Sequence, residues 1–545
     1  MKSKKFAFTL VSVILIFSVI ATACGSKDSG SGGSKTEFRM NIGSEPPSLD
    51  PAQVQDNVSS TVVNGLFEGL TRKDADGKVV PGVAESWDVS EDGLTYTFHL
   101  RDSKWSNGDP VTAGDFEYAW KRALDPNLKP QPSAYAYQLY YLKGAEDYNL
   151  NGGSVDNVGV KATDDKTLVV TLNAPTPYFD SLVGFYTYYP VHPSVKDNEA
   201  WAADAKTIIG NGPFKMGDWQ KNNSISIVKN DNYYAADEIK FTKVTFSEVL
   251  DSATELSMYE TDQLDWAGKP VGSIPTDQLE TLKQTHKDEL TISPSANLYY
   301  YLFNTTVKPF DNVKIRKALT LAINRQDIVD NVTKEGQVPA YGLVPPGINI
   351  GDEEYRSKVS GDFFKEDVEE AKKLLAEGLQ EEGLSKMPTI KLAYNTNDAH
   401  KKIAEALAEM WRTNLGVDTS IENQEWGVFL DNRNSLNYEV ARGGWGADYN
   451  DPMTFIDLFT SKSGNNNTGF ANPEYDALVK KAYSTADQAV RLQAMSDAEK
   501  ILMDEMPIAP VYYYTNVYMV KPGFKGITMD YKGDIDYSRG YYEGK

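Results

Sequence analysis

Along much of this chain, apolar residues recur with the periods that strands and helices require. Phe38, Met40 and Ile42 alternate with Glu37, Arg39 and Asn41, the period expected of a strand with one buried face. The run Leu94-Thr95-Tyr96-Thr97-Phe98-His99-Leu100 repeats that alternation, and Asn107-Gly108 supplies a turn further on. Thr112 then opens a helix. It stands at a cap position with Asp115 in the capping-box place, and Phe116, Ala119, Trp120 and Ala123 make one apolar face. Helical periodicity returns over Val313–Val332, Val368–Leu379 and Lys401–Leu415. Short strands are expected at Thr167–Leu172, Ser224–Lys229, Thr389–Tyr394 and Asp418–Glu422. Strands and helices interleave with short connections, which predicts an α/β or α+β architecture. Neither an internal repeat nor a low-complexity linker interrupts the chain after Thr36, which suggests domains whose chain passes back and forth between lobes.

The longest apolar run stands at the start. Phe6 to Ile20, about fifteen residues, is short for a bilayer span and follows a segment with three lysines, Lys2, Lys4 and Lys5. Small residues Ala21, Thr22 and Ala23 precede Cys24, the only cysteine, and a Gly/Ser-rich stretch follows it. A basic start, a short apolar stretch and small residues before a cleavage point read as a secretory signal. With cysteine at the first mature position, residues 1–23 resemble a bacterial lipoprotein signal and 24–36 a flexible tether. The resemblance implies a mature protein that begins at Cys24, carries acyl chains and sits outside the cell on the membrane.

Composition narrows the possibilities. Aromatic residues make up 11% of the chain, with 32 Tyr and 9 Trp, which excludes a disordered surface protein. With Cys24 lipidated no thiol is left for a disulfide, so stability rests on core size alone. The formal net charge of −22 argues against nucleic acid, whose phosphates need a basic footprint, and against docking on anionic headgroups. The acidity serves solubility instead. Beyond the N-terminal run no segment is apolar enough for a membrane span.

Signs of catalysis are missing. The four histidines, His99, His192, His286 and His400, are far apart and form no zinc spacing. There is no G-x-S-x-G elbow and no phosphate-binding P-loop. Paired carboxylates for glycoside hydrolysis stay open, because 77 acidic residues offer many combinations. The expectation is a protein that is not an enzyme and needs neither metal nor cofactor.

The stretches Ala84-Glu85-Ser86-Trp87-Asp88-Val89-Ser90-Glu91-Asp92-Gly93 and Trp105-Ser106-Asn107-Gly108-Asp109-Pro110-Val111-Thr112-Ala113-Gly114-Asp115-Phe116 resemble those of the family-5 extracellular solute-binding proteins. Further matches are Ser48-Leu49-Asp50-Pro51, Gly65-Leu66-Phe67-Glu68-Gly69-Leu70, Gly210-Asn211-Gly212-Pro213-Phe214, Val313-Lys314-Ile315-Arg316-Lys317-Ala318-Leu319 and Pro510-Val511-Tyr512-Tyr513-Tyr514. This family feeds peptides, nickel or other solutes to ABC importers. The resemblance implies a periplasmic-binding-protein-like class II fold, three lobes closing over the ligand like a flytrap. Lobe I would comprise 37–67, 195–300 and 516–545, lobe II the insertion 68–194, and lobe III 301–515.

Within the family, Val440-Ala441-Arg442-Gly443-Gly444-Trp445-Gly446-Ala447-Asp448-Tyr449-Asn450-Asp451-Pro452 is most similar to the oligopeptide binders. That similarity implies that Asp448 receives the peptide's α-ammonium. The peptide backbone would lie as an added strand between Gln55-Asp56-Asn57 and Gly443-Gly444-Trp445-Gly446. Arg433 and Arg442 would line pockets near the ligand's C-terminal end, with Trp426, Tyr514 and Tyr135 as pocket walls. The implied function is a monomeric, lipid-anchored receptor of a Gram-positive-type cell. It would bind oligopeptides with low sequence specificity and deliver them to ABC permease subunits, with a secondary role in signalling-peptide uptake. A receptor for dipeptides, nickel or another small solute is the alternative, and a lipid-anchored hydrolase a more distant one. No histidine sits in the Asp448 region of the sequence, which weighs against nickel.

Overall fold

The computed structural model describes residues 35–74 and 77–544. The signal, Cys24 and most of the tether, on which the lipoprotein reading rests, lie outside the described residues. Among the described residues no helix is long and apolar enough to cross a membrane.

Three sheets organise the chain. The first has four strands in the order Glu37–Asn41, Lys243–Ser247, Ser224–Lys229 and Phe214–Gln220, the first pair parallel and the others antiparallel. Phe38, Met40 and Ile42 are fully buried beneath it, as their alternation requires. The second is antiparallel, in the order Ala84–Val89, Thr95–Leu100, Thr167–Thr171 and Val160–Asp164. Against it packs the helix Ala113–Ala123, which begins with Thr112 and Asp115 in a full capping box. Its four expected core residues, Phe116, Ala119, Trp120 and Ala123, are all buried.

The third sheet joins distant parts of the chain. Its path runs Trp266–Gly268, Ile508–Val520, Leu290–Phe303, Val440–Gly446, Ile390–Asn395 and Thr419–Gln424. The two long strands 290–303 and 508–520 pair along most of their length, but the register shifts between Pro294 and Leu298. Around that interruption Ser295, Asn297, Thr515 and Asn516 face a cleft instead of closing the ladder.

One expected helix is broken. The periodicity over 313–332 becomes a helix Val313–Leu321, a short turn Arg325–Asp327 and a π-helical turn Ile328–Thr333. Asn324 caps the second piece through the Asp327 N–H. Arg325, fully buried, turns inward to donate from Nε to the Pro510 carbonyl at 2.8 Å and lies 4.8 Å from the Phe364 ring. A buried guanidinium that needs carbonyl partners overrides the periodic pattern.

Candidate functional site

A cavity of about 280 Å³ opens beside the interrupted ladder. Twelve of the thirteen residues named from sequence as ligand contacts line it; the exception is Gly443. That glycine is buried against Tyr300, where a Cβ would come within 2.4 Å of the ring. Its place on the peptide-facing surface is therefore corrected: it is packing, and Gly444, Trp445 and Gly446 form the wall.

The reason lies in strand register. Val440–Gly446 pairs antiparallel with 290–303, Gly446 opposite Asn297 and Gly443 opposite Tyr300. The Ala447 N–H bonds the Ala296 carbonyl at 3.1 Å. Backbone groups alternate direction along an antiparallel strand. Trp445 and Gly443 therefore turn their N–H and C=O toward 290–303, whereas Gly444 and Gly446 turn theirs away. On that other side the parallel neighbour 390–395 pairs only with Val440 and Ala441. Gly444 and Gly446 thus present an unfilled strand edge to the cavity, the kind of edge an extended chain can extend. Side chains are excluded at Gly446, where a Cβ would sit 2.0 Å from Asn297 Oδ1.

The opposite wall departs from expectation. Gln55-Asp56-Asn57 is no strand: Asp56 is the extended N-cap of the helix Asn57–Leu66, and Asn57 is its first residue. The Asp56 carboxylate is engaged, accepting from Ser59 N at 3.0 Å, Ser59 Oγ at 2.9 Å and Trp426 Nε1 at 3.3 Å. Burial pushes this carboxyl up, and those bonds oppose the shift. Gln55 accepts from Asn434 Nδ2 at 3.1 Å. All three residues still face the cavity, but as a capped helix start, because the Asp56 carboxylate accepts the Ser59 N–H of the helix's first turn. Trp426, at the start of the helix Trp426–Asn434, joins this wall by donating to Asp56.

At one end of the cavity stands Asp448, half-buried two residues past the glycine strand. Its N–H is held by Thr454 Oγ1 at 3.0 Å, and its Oδ2 accepts from Gln138 Nε2 at 2.7 Å. Burial pushes the Asp448 carboxyl well above the ordinary range; Lys532 pulls it down, while Asp457 and Asp534 push it further up. Burial disfavours charge on Lys532 too, but Asp534, Asp530 and Asp448 keep it protonated. The end wall is a carboxylate seeking a cation in a partly dry place. Tyr135 closes it by stacking on Trp445, centroids 5.8 Å apart.

The other end is basic. Arg442 donates to Tyr514 Oη at 2.7 Å and lies 5.0 Å from the Tyr299 ring centroid. Arg433 stands nearby, and the Nε of each arginine is buried with no partner among the described residues. Lys269 lies 5.1 Å over the Tyr514 ring, its charge disfavoured by burial and favoured by Glu335. His400 also lines the cavity, at this basic end. Burial, then Arg442 and Lys269, hold it neutral. Among the described residues no three metal-type ligands come together.

Gln138, Lys269, Glu335, His400 and Lys532 went unforeseen. Each reaches the site from a segment with no local motif, and Gln138 is 310 residues from Asp448.

The family model for bacterial extracellular solute-binding proteins, family 5, matches residues 78–467. The chain is 46% identical to the oligopeptide-binding protein OppA of Bacillus subtilis, over 99% of this chain and 100% of that one. It is 41% identical to the dipeptide-binding protein DppE of the same organism, over 94% and 93%. Among solved structures, Listeria monocytogenes OppA bound to peptide matches at TM-score 0.87 and 33% identity, covering 94% of this chain and 100% of that one. Escherichia coli murein tripeptide binding protein MppA matches at 0.86 and 33% identity, covering 94% and 99%. The unliganded open form of MppA matches at only 0.60, with 32% identity and the same coverage. The fold is therefore a multi-lobed class II binding-protein fold, and its parts are disposed differently from that open form.

Proposed function

The chain belongs to family 5 of the bacterial extracellular solute-binding proteins, and from that premise we propose that it is a receptor for oligopeptides that hands them to the permease subunits of an ABC importer. One observation carries the reading: the open strand edge at Gly444 and Gly446 runs straight into the half-buried carboxylate of Asp448. Every free peptide offers a backbone array and one terminal ammonium, and this wall matches both without consulting a side chain.

In this reading Asp448 takes the ammonium and Gly444 and Gly446 pair with the peptide backbone. Gln55, Asp56, Asn57 and Trp426 wall the opposite side. Arg433, Arg442 and Tyr514 meet the C-terminal part of the ligand, and Tyr135 with Trp445 covers the first residue. Lobe I comprises 37–67, 195–300 and 516–545, lobe II 68–194 and lobe III 301–515. The boundaries near 300 and 516 fall in the two long strands, close to their interrupted pairing. Cys24 carries the lipid that tethers the receptor to the outer face of a Gram-positive-type membrane. The relatives are binding proteins, and we assign this chain no catalysis.

Mass spectrometry of ligand co-purified with the protein, followed by calorimetry with synthetic peptides, tests the reading. A mixture of peptides recovered intact supports it, and a single non-peptide solute or cleaved peptides would sink it. Dipeptides alone would place the chain with the dipeptide receptors. Cys24→Ala should release the protein into the medium, since among the described residues no helix is long and apolar enough to cross a membrane. Retention in the membrane fraction of cells lacking the importer would refute the anchor.

A further inference from the structure

Tyr135, Gln138 and Tyr141 are spaced three apart, and the turn between them, Ala136–Leu139, is a 3-10 helix. Gln138 lies within it, Tyr135 is its N-cap and Tyr141 follows its C-cap Tyr140. All three reach the end of the glycine strand or the short segment that follows it. Tyr135 stacks on Trp445. Gln138 Nε2 donates to Asp448 Oδ2 at 2.7 Å. Tyr141 Oη is 3.1 Å from Tyr449 Oη. Tyr178 reinforces the last contact, stacked on Tyr449 with centroids 5.4 Å apart and receiving a 3.4 Å bond from Arg491. One face of the 68–194 insertion therefore grips three positions, 445, 448 and 449, around the carboxylate.

Gln138 is the unusual member. It is 1% exposed, yet it does not line the cavity, and its Oε1 is buried with no partner among the described residues. Its main-chain carbonyl is pinned by Tyr188 Oη at 2.5 Å. A buried amide left half-satisfied is unfavourable. Its one side-chain bond is to Asp448.

We propose that Gln138 is a positioning residue that couples closure of the 68–194 insertion to the ligand's free amine. It does so by bonding the same Asp448 carboxylate from behind. This rests on the reading of Asp448 as the ammonium acceptor. The coupling is electrostatic. A hydrogen bond to an ionised carboxylate is stronger than one to a neutral carboxyl. Burial disfavours the ionised form. An ammonium arriving from the cavity favours it. Ligand and Gln138 then strengthen one another through one group, and by linkage each raises the other's occupancy.

Calorimetry with tetra-alanine and its N-acetyl form tests this on wild type, Gln138→Leu, Asp448→Asn and the double variant. Gln138→Leu should weaken tetra-alanine about tenfold and shift the acetylated peptide by less than about twofold. In the Asp448→Asn background the same substitution should have almost no effect. Small-angle scattering at saturating tetra-alanine should show Gln138→Leu less compact than wild type. Equal losses for both peptides, or additivity with Asp448→Asn, would make Gln138 merely structural and overturn the proposal. If wild type discriminates between the peptides and Gln138→Leu discriminates equally, the coupling alone fails. If wild type binds both forms alike, the reading of Asp448 fails and the coupling with it. Should Gln138→Leu not fold, Tyr141→Phe, which removes the bonds to Tyr449 and Tyr178, must show the same selective loss of free-amine affinity.

Discussion

The two ends of the cavity hold their charges in opposite ways. At the acidic end the Asp448 carboxylate accepts from Gln138, its main-chain N–H is held by Thr454, and the Lys532–Asp534 pair lines the same end. At the basic end Arg433, Arg442 and Lys269 are spread along the wall, accompanied by tyrosines. A fixed point at one end and a distributed field at the other teach how a length-tolerant receptor can be built. In the proposed binding mode every peptide would begin at the same place and could stop at several.

The sharpest way to break that comparison is at the fixed point. Acetylating the peptide's amine removes its charge and leaves Asp448 facing a neutral group, and an uncompensated buried charge costs about 3–5 kcal/mol. Affinity measured by calorimetry should fall about a hundredfold or more. Asp448→Asn should erase the preference for the free amine while circular dichroism stays unchanged. Equal affinities for free and acetylated peptides in wild type would contradict the assignment.

The distributed end should give smaller losses. Arg442→Gln removes one of several cations, so a peptide's carboxylate keeps other partners. A loss of about tenfold is expected, in line with about 1.5–3 kcal/mol for a hydrogen bond to a charged group. Amidating the C-terminus should cost a similar factor in wild type and less in the variant. A hundredfold loss from either change, at one peptide length only, would show the basic end to be a fixed point too.

A milder test uses pH. The Asp448 carboxyl is pushed up by burial, and an ammonium needs it ionised. As pH falls through that raised value the ligand must expel a proton, so affinity should drop, by no more than about tenfold per pH unit. The loss should begin above the ordinary carboxylate range near about 3.9. Calorimetry in two buffers of different ionisation enthalpy should detect proton release for free peptides and none for acetylated ones. Affinity that stays flat down to the ordinary range would refute the shift.

The fixed end also shows what a sequence can disclose. Where one physical rule decides, the reading succeeds: the alternation at 38, 40 and 42, and the capping box at Thr112. It fails where tertiary demands override. Asn324 and Arg325 split a periodic helix because a buried guanidinium must find carbonyls. The strands 290–303 and 508–520 escaped notice because much of each is buried on both faces, giving continuous aromatic runs instead of alternation. Asp448 was legible through family resemblance, and nothing local marked Gln138 or Lys532.

The smallest effects should come from the peptide's own side chains. If Gly444 and Gly446 hold the ligand by backbone pairing, an internal side chain can be exchanged for water at about 0–2 kcal/mol per ordered molecule. A panel of tetra- and pentapeptides varied at one internal position should therefore span less than about tenfold in affinity. N-methylating an amide that pairs with the strand is different, because it strands a buried carbonyl at about 1–3 kcal/mol. That single methyl should weaken binding more than any member of the panel. The glycine strand itself offers the matching change. A Cβ at Gly444 would meet Tyr514 Oη at 3.3 Å and an Arg442 guanidinium nitrogen at 3.4 Å, a tight but yielding contact. Gly444→Ala should then fold and lower affinity evenly across the panel, since it disturbs the edge every peptide shares. A panel spread over a thousandfold, with N-methyl peptides binding normally, would put recognition in the side chains and make the open edge incidental.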